Sequence, residues 1–110
     1  MRDENNIVST ISDNRPLVIR SLRRSNVRKK IAEYLFDISP SGSYTSEIAY
    51  NVKTTPTNVL GAIRGMGDRY KVDESLINLN LVEQVKNTKE VKLYKLTDFG
   101  KEIISQFKNP

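Results

Sequence analysis

Two helix-start signals lie ten residues apart near the middle of this 110-residue chain. Thr45 stands where an N-cap is favoured, and Glu47 falls in the first turn that would follow it. After a break at residues 53–54, Thr55 is a second N-cap and Pro56 occupies the first helical position. Two short helices separated by about three residues form a helix-turn-helix, and the sequence predicts one here.

The second helix of this pair, over residues 55–66, divides into an apolar and a polar face. Its apolar residues recur at helical spacing and are expected to point into a core, before Gly65 and Gly67 end the helix. The expected core residues are Val59, Leu60, Ile63 and Met66. The residues left for the opposite face are Thr55, Thr57, Asn58, Gly61 and Arg64.

The N-terminal part of the chain predicts a polar lead-in over residues 1–14 and one domain over residues 15–110. Asp13 or Asn14 is placed to cap a helix that enters at Arg15, since Pro16 is tolerated in a first turn. A new helix start at Ser25 leads into apolar residues at helical spacing through about residue 38. One continuous helix over residues 16–38 is the alternative.

The C-terminal part predicts a β-hairpin followed by a helix. The strand-like runs LVEQV (81–85) and VKLYKL (91–96) flank a polar loop with a basic tip. Thr97 then caps a helix with Phe99, Ile103 and Phe107 on one stripe. Between the helix-turn-helix and the hairpin, Asp73 is expected to cap a short helix through Leu79, ended by Asn80 in a left-handed conformation.

The amino-acid composition excludes several kinds of catalytic and metal-binding site. The chain has no cysteine and no histidine, so thiolate nucleophiles, imidazole bases, disulfides and the usual zinc ligand sets are absent. Glu33 and Asp37 lie one helical turn apart and could form a carboxylate pair, but charges in contact with solvent explain them better. Gly65-x-Gly67 follows a helix rather than a strand, so it is not a phosphate-binding glycine motif. We therefore expect no enzyme activity, no metal and no cofactor. With no bilayer-spanning apolar run and no signal-peptide pattern, we expect a cytoplasmic protein without a membrane partner.

The order of these elements resembles that of a known family. YTSEIAYNVKTTPTNVLGAIRGM (44–66) resembles the winged helix-turn-helix of prokaryotic, and in particular archaeal, transcription regulators of the ArsR/MarR-like superfamily. LVEQV and VKLYKLTDFGKEI resemble their wing and C-terminal helix, and SNVRKKIAEYL (25–35) resembles their opening helix. The chain departs from the pattern at residues 67–80 and has Asn80 where glycine is common. The resemblance implies a mostly helical α+β fold with a two-stranded wing and flanking N- and C-terminal helices.

A recognition helix presents small or hydrogen-bonding groups outward, so the polar face of helix 55–66 carries the base-reading candidates. Arg64 suits a guanine edge, Asn58 an adenine, and Thr55 or Thr57 a thymine methyl group. Gly61 is unfavourable in a helix by ~1 kcal/mol, and close approach of the backbone to a ligand is one reason for it. The alternatives are an ordinary solvated face and, for Gly61, packing against the preceding helix.

Basic residues form two clusters that suit contact with phosphate. Seven occur between Arg15 and Lys30 with no acidic residue, and four lysines occur between Lys86 and Lys95 beside Glu90 alone. Cations in the first turn of a helix oppose its dipole, and a bound phosphate would reverse that penalty. The alternatives are a Lys29–Glu33 pair and, in the wing, lysines that deter strand pairing. The phosphate candidates are Arg24, Arg28, Lys29, Lys53, Lys86 and Lys89.

These observations predict a sequence-specific DNA-binding transcription regulator. Helix 55–66 would enter the major groove of double-stranded DNA, and the wing tip at residues 86–90 would touch the adjacent backbone or minor groove. A homodimer is expected, because one helix reads only a few base pairs, and the N-terminal apolar residues and the C-terminal helix are candidates for its interface. A protein-interaction module without base readout is the main alternative, and RNA binding is a further one. A small-molecule effector stays open.

Overall fold

The computed structural model describes residues 14–85 and 92–108, and these residues form a mostly helical α+β fold. Within these ranges, five α-helices, a 3-10 turn and three strands follow one another. They are α1 (14–24), α2 (Asn26–Ile38), β1 (Ser43–Tyr44), α3 (Thr45–Val52), α4 (Pro56–Arg64), the 3-10 turn (Val72–Glu74), β2 (Val82–Val85), β3 (Leu93–Leu96) and α5 (Asp98–Lys108). The predicted fold class, helix-turn-helix and flanking helices are confirmed.

Ser25 separates α1 from α2. Its backbone is extended, with φ −135°, and its Oγ accepts a hydrogen bond from the backbone N–H of Arg28 at 3.2 Å. A side chain that satisfies a free N–H of the first turn defines a helix start. The predicted start is confirmed, and a continuous helix over residues 16–38 is wrong.

The strands form one antiparallel sheet in the order β1-β3-β2. Val82 pairs with Leu96 and Val85 with Leu93, which confirms the predicted hairpin. Ser43 and Tyr44 pair with the other edge of β3, so the two-stranded wing is joined by a short third strand that the sequence did not predict. A two-residue strand is too short to show the alternation that identifies strands in a sequence. The predicted wing tip lies outside the described residues.

The core lies where α2, α3 and α4 meet the sheet and the two flanking helices. Ile31, Ile48, Ile63, Tyr94 and Ile104 are each at most 1% exposed, and they come from α2, α3, α4, β3 and α5 in turn. Burial of large apolar side chains from every one of these elements provides the main driving force for the arrangement. On α5, Ile103 is buried while Phe99 and Phe107 are partly buried, which agrees with the predicted stripe.

Residues 67–80, which we call the connector, follow a different course from the one predicted. The helix from Asp73 to Leu79 is wrong: a 3-10 turn covers Val72–Glu74 and turns follow it. The backbone N–H of Leu76 donates to the carbonyl of Ala62 at 3.0 Å, and that of Ile77 to the carbonyl of Ile63 at 2.9 Å. The connector therefore satisfies carbonyls at the C-terminal end of α4 instead of forming a helix of its own.

Two caps near the sheet agree with the sequence and one differs by a residue. Asn80 is left-handed, with φ 64°, as expected. Thr97 caps α5, because its Oγ1 accepts a hydrogen bond from the N–H of Gly100 at 2.8 Å. The N-cap of α3 is Tyr44 rather than Thr45, and its N–H donates to the Glu47 carboxylate at 2.9 Å.

In the described part of the chain, no helix combines the length and the apolar character needed to cross a bilayer.

Candidate nucleic-acid interface

The turn between α3 and α4 is fixed by backbone conformation and by capping. Lys53 adopts a left-handed conformation with φ 60°, and the N–H of Thr54 donates to the Ala49 carbonyl at 2.9 Å. Thr55 is extended and its Oγ1 accepts from the N–H of Asn58 at 3.1 Å, which starts α4 with Pro56 in its first turn. This geometry is the predicted one, and it holds α4 at a set angle to α3.

Helix α4 buries one face and exposes another. Val59, Ala62 and Ile63 have no exposed surface, whereas Thr57 and Arg64 are exposed. The polar face that the sequence predicts therefore exists in part, and Arg64, in the last helical turn, is exposed. Donors and a methyl group in this position match the edges that bases present in a major groove.

Met66 and Leu60 lie less deeply in the core than predicted. The helix ends at Arg64, with Gly65 as its C-cap at φ 89°, so Met66 stands beyond the helix and is 43% exposed. Leu60 is half-buried. The prediction for Met66 is wrong because it extends the helical periodicity past the residue that ends the helix.

Thr55 and Asn58 both have internal hydrogen bonds. The Oγ1 of Thr55 is occupied as the cap acceptor, although the residue is exposed. The Nδ2 of Asn58 donates to the Oγ1 of Thr54 at 3.0 Å, and the residue is half-buried. A bidentate contact with adenine requires the donor and the acceptor of one amide together. Asn58 keeps its second N–H and its carbonyl oxygen, but the residue is half-buried, so Thr57 and Arg64 are the more accessible candidates.

Gly61 does not lie on the exposed face. It is buried, and a Cβ built on it would collide with the ring of Tyr70 in the connector. The prediction that its backbone approaches a ligand is therefore corrected: the glycine makes room for a neighbouring aromatic ring. The alternative explanation, that Gly61 allows close packing, is nearer to the structure, but the glycine packs against Tyr70 and not against α3.

Arg28 is buried, and this corrects its assignment as a phosphate contact. Only 4% of its side chain is exposed, and its Nη1 lies 3.4 Å from the Glu74 carboxylate. Its guanidinium carbon also lies 5.8 Å from the centroid of the Tyr70 ring. A duplex backbone on the protein surface cannot reach this group. The anion that offsets a cation in the first turn of α2 is a carboxylate of the chain itself.

The other described basic candidates remain accessible. The Arg24 side chain is 54% exposed and forms an ion pair with Glu74 at 3.0 Å. Lys29 and Lys53 are exposed, and Lys29 has no ion pair with Glu33 or any other residue the structure describes. Lys86 and Lys89 lie outside the described residues.

Two features of this region escaped the sequence analysis. Glu74 anchors both Arg24 and Arg28, and Tyr50 on α3 is 83% exposed near the turn. The unfavourable cations in the first turn of α2 were a signal for Glu74, because they call for a nearby negative charge. Among the residues that the structure describes, no cluster of acidic side chains could hold a metal ion. Asp37 instead forms an ion pair with Lys108 at 3.0 Å.

Comparison with known proteins places this arrangement in a family. Residues 18–107 match the model of the EarA-like family. An uncharacterized protein of the archaeon Methanocaldococcus jannaschii is 49% identical over 94 residues, which cover 86% of this chain and 84% of that protein.

Solved structures share the fold. The chain superposes on MepR of Staphylococcus aureus in complex with DNA with a TM-score of 0.60, at 16% identity, over 97% of this chain and 77% of that one. It matches MepR described as a regulator of the multidrug efflux pump MepA with a TM-score of 0.60, at 15% identity, over 94% of this chain and 70% of that one. The fold is thus that of a winged helix, and by its sequence the chain belongs to the EarA-like family.

Proposed function

We propose that this protein is a sequence-specific DNA-binding transcription regulator, with α4 entering the major groove. The observation that carries the proposal is the division of α4, whose exposed Thr57 and Arg64 lie opposite buried Val59 and Ile63. Arginine can bind a guanine edge with two hydrogen bonds, and threonine can contact a thymine methyl group. The likeness in fold to MepR, a transcription regulator solved with DNA, supports the same use of the helix.

Phosphate contacts would fix the register of α4 on the duplex. Lys53 in the turn before α4 is well placed to meet the backbone beside the groove, and Arg24 and Lys29 extend the positive surface. The wing lysines Lys86 and Lys89 complete the proposed set, on the adjacent backbone or in the minor groove. The net charge of +5 favours this partner, since each neutralised phosphate releases counterions.

We further propose that the regulator acts as a homodimer in the cytoplasm. Helix α4 has nine residues and reaches only a few base pairs, so two-fold pairing gives a longer site. Helix α1 presents Ile19, which is 37% exposed, next to α5, where Phe107 is partly buried. These two helices are the proposed pairing surface. Neither catalysis nor a cofactor is part of the proposal.

Selection of bound sites from a random duplex library, with the full-length chain and at a stated salt concentration, tests the function. We expect enrichment of a short motif, repeated with two-fold symmetry at a spacing of about one helical turn. Binding that is equally strong to all duplexes and fully competed by heparin would contradict base readout. Absence of duplex binding at low salt would favour the protein-interaction alternative.

A further inference from the structure

A cavity of about 390 Å³ lies between the start of α2 and the connector, and no residue of α4 lines it. Four basic side chains line it, with two acidic ones. The basic residues are Arg24, Arg28, Arg69 and Lys71, and the acidic residues are Asp68 and Glu74. The lining therefore carries two more positive than negative charges, which is an arrangement suited to an anion.

Ion pairs within the cavity leave part of this charge without a partner. Glu74 pairs with both Arg24 and Arg28, but neither Arg69 nor Lys71 forms an ion pair with any residue in the described ranges. Both of these side chains are exposed, and the guanidinium carbon of Arg69 lies 5.7 Å from the centroid of the Tyr70 ring. Both line the cavity and are therefore accessible to an anion that enters it.

Arg28 gives an independent indication of a missing ligand. The side chain lines the cavity and is 4% exposed, and its Nε makes no hydrogen bond with any residue described. Its Nη1 reaches Glu74 only at 3.4 Å, which is long for a charge-assisted hydrogen bond. Buried donors are nearly always paired, so an arginine in this state indicates an acceptor that the protein chain does not supply.

The start of α2 adds to the same site. Ser25, its N-cap residue, also lines the cavity, and no acidic residue lies in the first turn of the helix. The positive end of a thirteen-residue helix therefore faces the cavity without a carboxylate of its own first turn. Backbone N–H groups in such a position bind oxyanions well.

We propose that this cavity binds the phosphate group of a small phosphorylated molecule. Arg69 and Lys71 would capture the anion as it enters, and Arg28 with the first turn of α2 would hold it inside. Phosphate suits the site because its several acceptor oxygens can bind arginine donors in pairs while they also meet helix N–H groups. A duplex backbone has the same chemistry but cannot enter far enough to meet Arg28.

The binding site has a direct structural link to α4. Tyr70 lines the cavity, and its ring packs against Gly61 in the middle of α4. A ligand that displaces or steadies Tyr70 would therefore change how α4 is held. This regulatory consequence rests on the proposed function, whereas the binding of phosphate does not.

Titration of the isotope-labelled full-length chain with inorganic phosphate, followed by NMR, tests the proposal without DNA. Sodium chloride at the same ionic strength is the reference. We expect saturable shifts of the Arg28 Nε–H signal and of backbone amides at residues 26–28 and 69–71. The double variant Arg69→Gln/Lys71→Gln should bind phosphate about tenfold more weakly. Its residues are exposed, so its melting temperature should match the wild type; Lys101→Gln on α5 is the control and should bind as the wild type does.

Two results would overturn the proposal. One is a phosphate response that equals the chloride response, or that is the same in the double variant. The other comes from a competition experiment between phosphate and a DNA duplex. If phosphate competes with the duplex, and the double variant loses as much affinity for the duplex as for phosphate, the cavity binds a phosphate of the DNA backbone. Failure of duplex binding alone would count against the proposed function and would leave the phosphate titration unaffected.

Discussion

The ring of Tyr70 fills the space that a side chain on Gly61 would need: a Cβ built there would lie 2.9 Å from Cγ and 3.0 Å from Cε2 of Tyr70. Contacts this close force the ring or the helix to move. Gly61 therefore allows the connector to lie against α4 at a distance that no other residue permits.

Gly61→Ala is expected to destabilise the protein, although alanine is the better helix former by ~1 kcal/mol. Crowding in a packed site costs about 1–3 kcal/mol, which exceeds that gain. Urea unfolding followed by circular dichroism measures the difference. In a Tyr70→Leu background the same change should cost much less, and a Gly61→Ala variant more stable than the wild type would refute this account.

Glu74→Ala is expected to lower the free energy of unfolding by about 3 kcal/mol, because it leaves the buried Arg28 without its counter-charge. Arg24→Met is the matched comparison, since it removes the other ion pair of Glu74 from a side chain that is 54% exposed. It should cost less than about 1 kcal/mol. Equal losses in the two variants, measured by chemical denaturation, would show that burial of the pair does not matter.

Arg64→Ala is expected to weaken binding to the selected duplex by about 1–3 kcal/mol and to flatten the preference at one or two positions. The physical reason is the loss of a bidentate contact from an exposed guanidinium on α4. Quantitative gel shifts on the selected site and on a scrambled duplex measure both effects. Equal weakening on the two duplexes would place Arg64 on the backbone instead of a base.

Lys53→Gln is expected to weaken binding to all duplexes to a similar extent, since the contact proposed for this exposed residue is with a phosphate. The affinity of the wild type should fall linearly with the logarithm of salt concentration, with a slope of about 0.9 for each phosphate neutralised. The variant should lose about one unit of that slope. A slope unchanged by Lys53→Gln would remove this lysine from the interface.

The helix-turn-helix was predictable because its determinants are local. Thr55 caps an N–H three residues away, Pro56 follows it, and Thr97 caps Gly100 at the same spacing. Short-range capping chemistry of this kind can be recognised in a sequence without any tertiary information. The hairpin was equally accessible, because β2 and β3 are adjacent in the chain and each has strand-like composition.

The partners of Arg28 and Gly61 were not predictable, because both contacts depend on how the connector folds back onto the helices. Glu74 is 46 residues from Arg28 and bonds to it only once the connector has folded back. The cations in the first turn of α2 indicate that a negative partner is needed, but they do not distinguish a carboxylate of the chain from a DNA phosphate. Tyr70 likewise reaches Gly61 through the connector, whose backbone bonds to α4 at Leu76 and Ile77 as well as to its own neighbours.

The backbone N–H groups of Leu76 and Ile77 donate hydrogen bonds to the carbonyls of Ala62 and Ile63. These bonds limit how short the connector can become. A shorter version of the chain, passing straight from α4 to β2, would expose two carbonyls that need other donors. Insertions and deletions are therefore best tolerated elsewhere in the connector than at these two positions. Changes within the connector could therefore alter how α4 is held while leaving its exposed residues Thr57 and Arg64 unchanged.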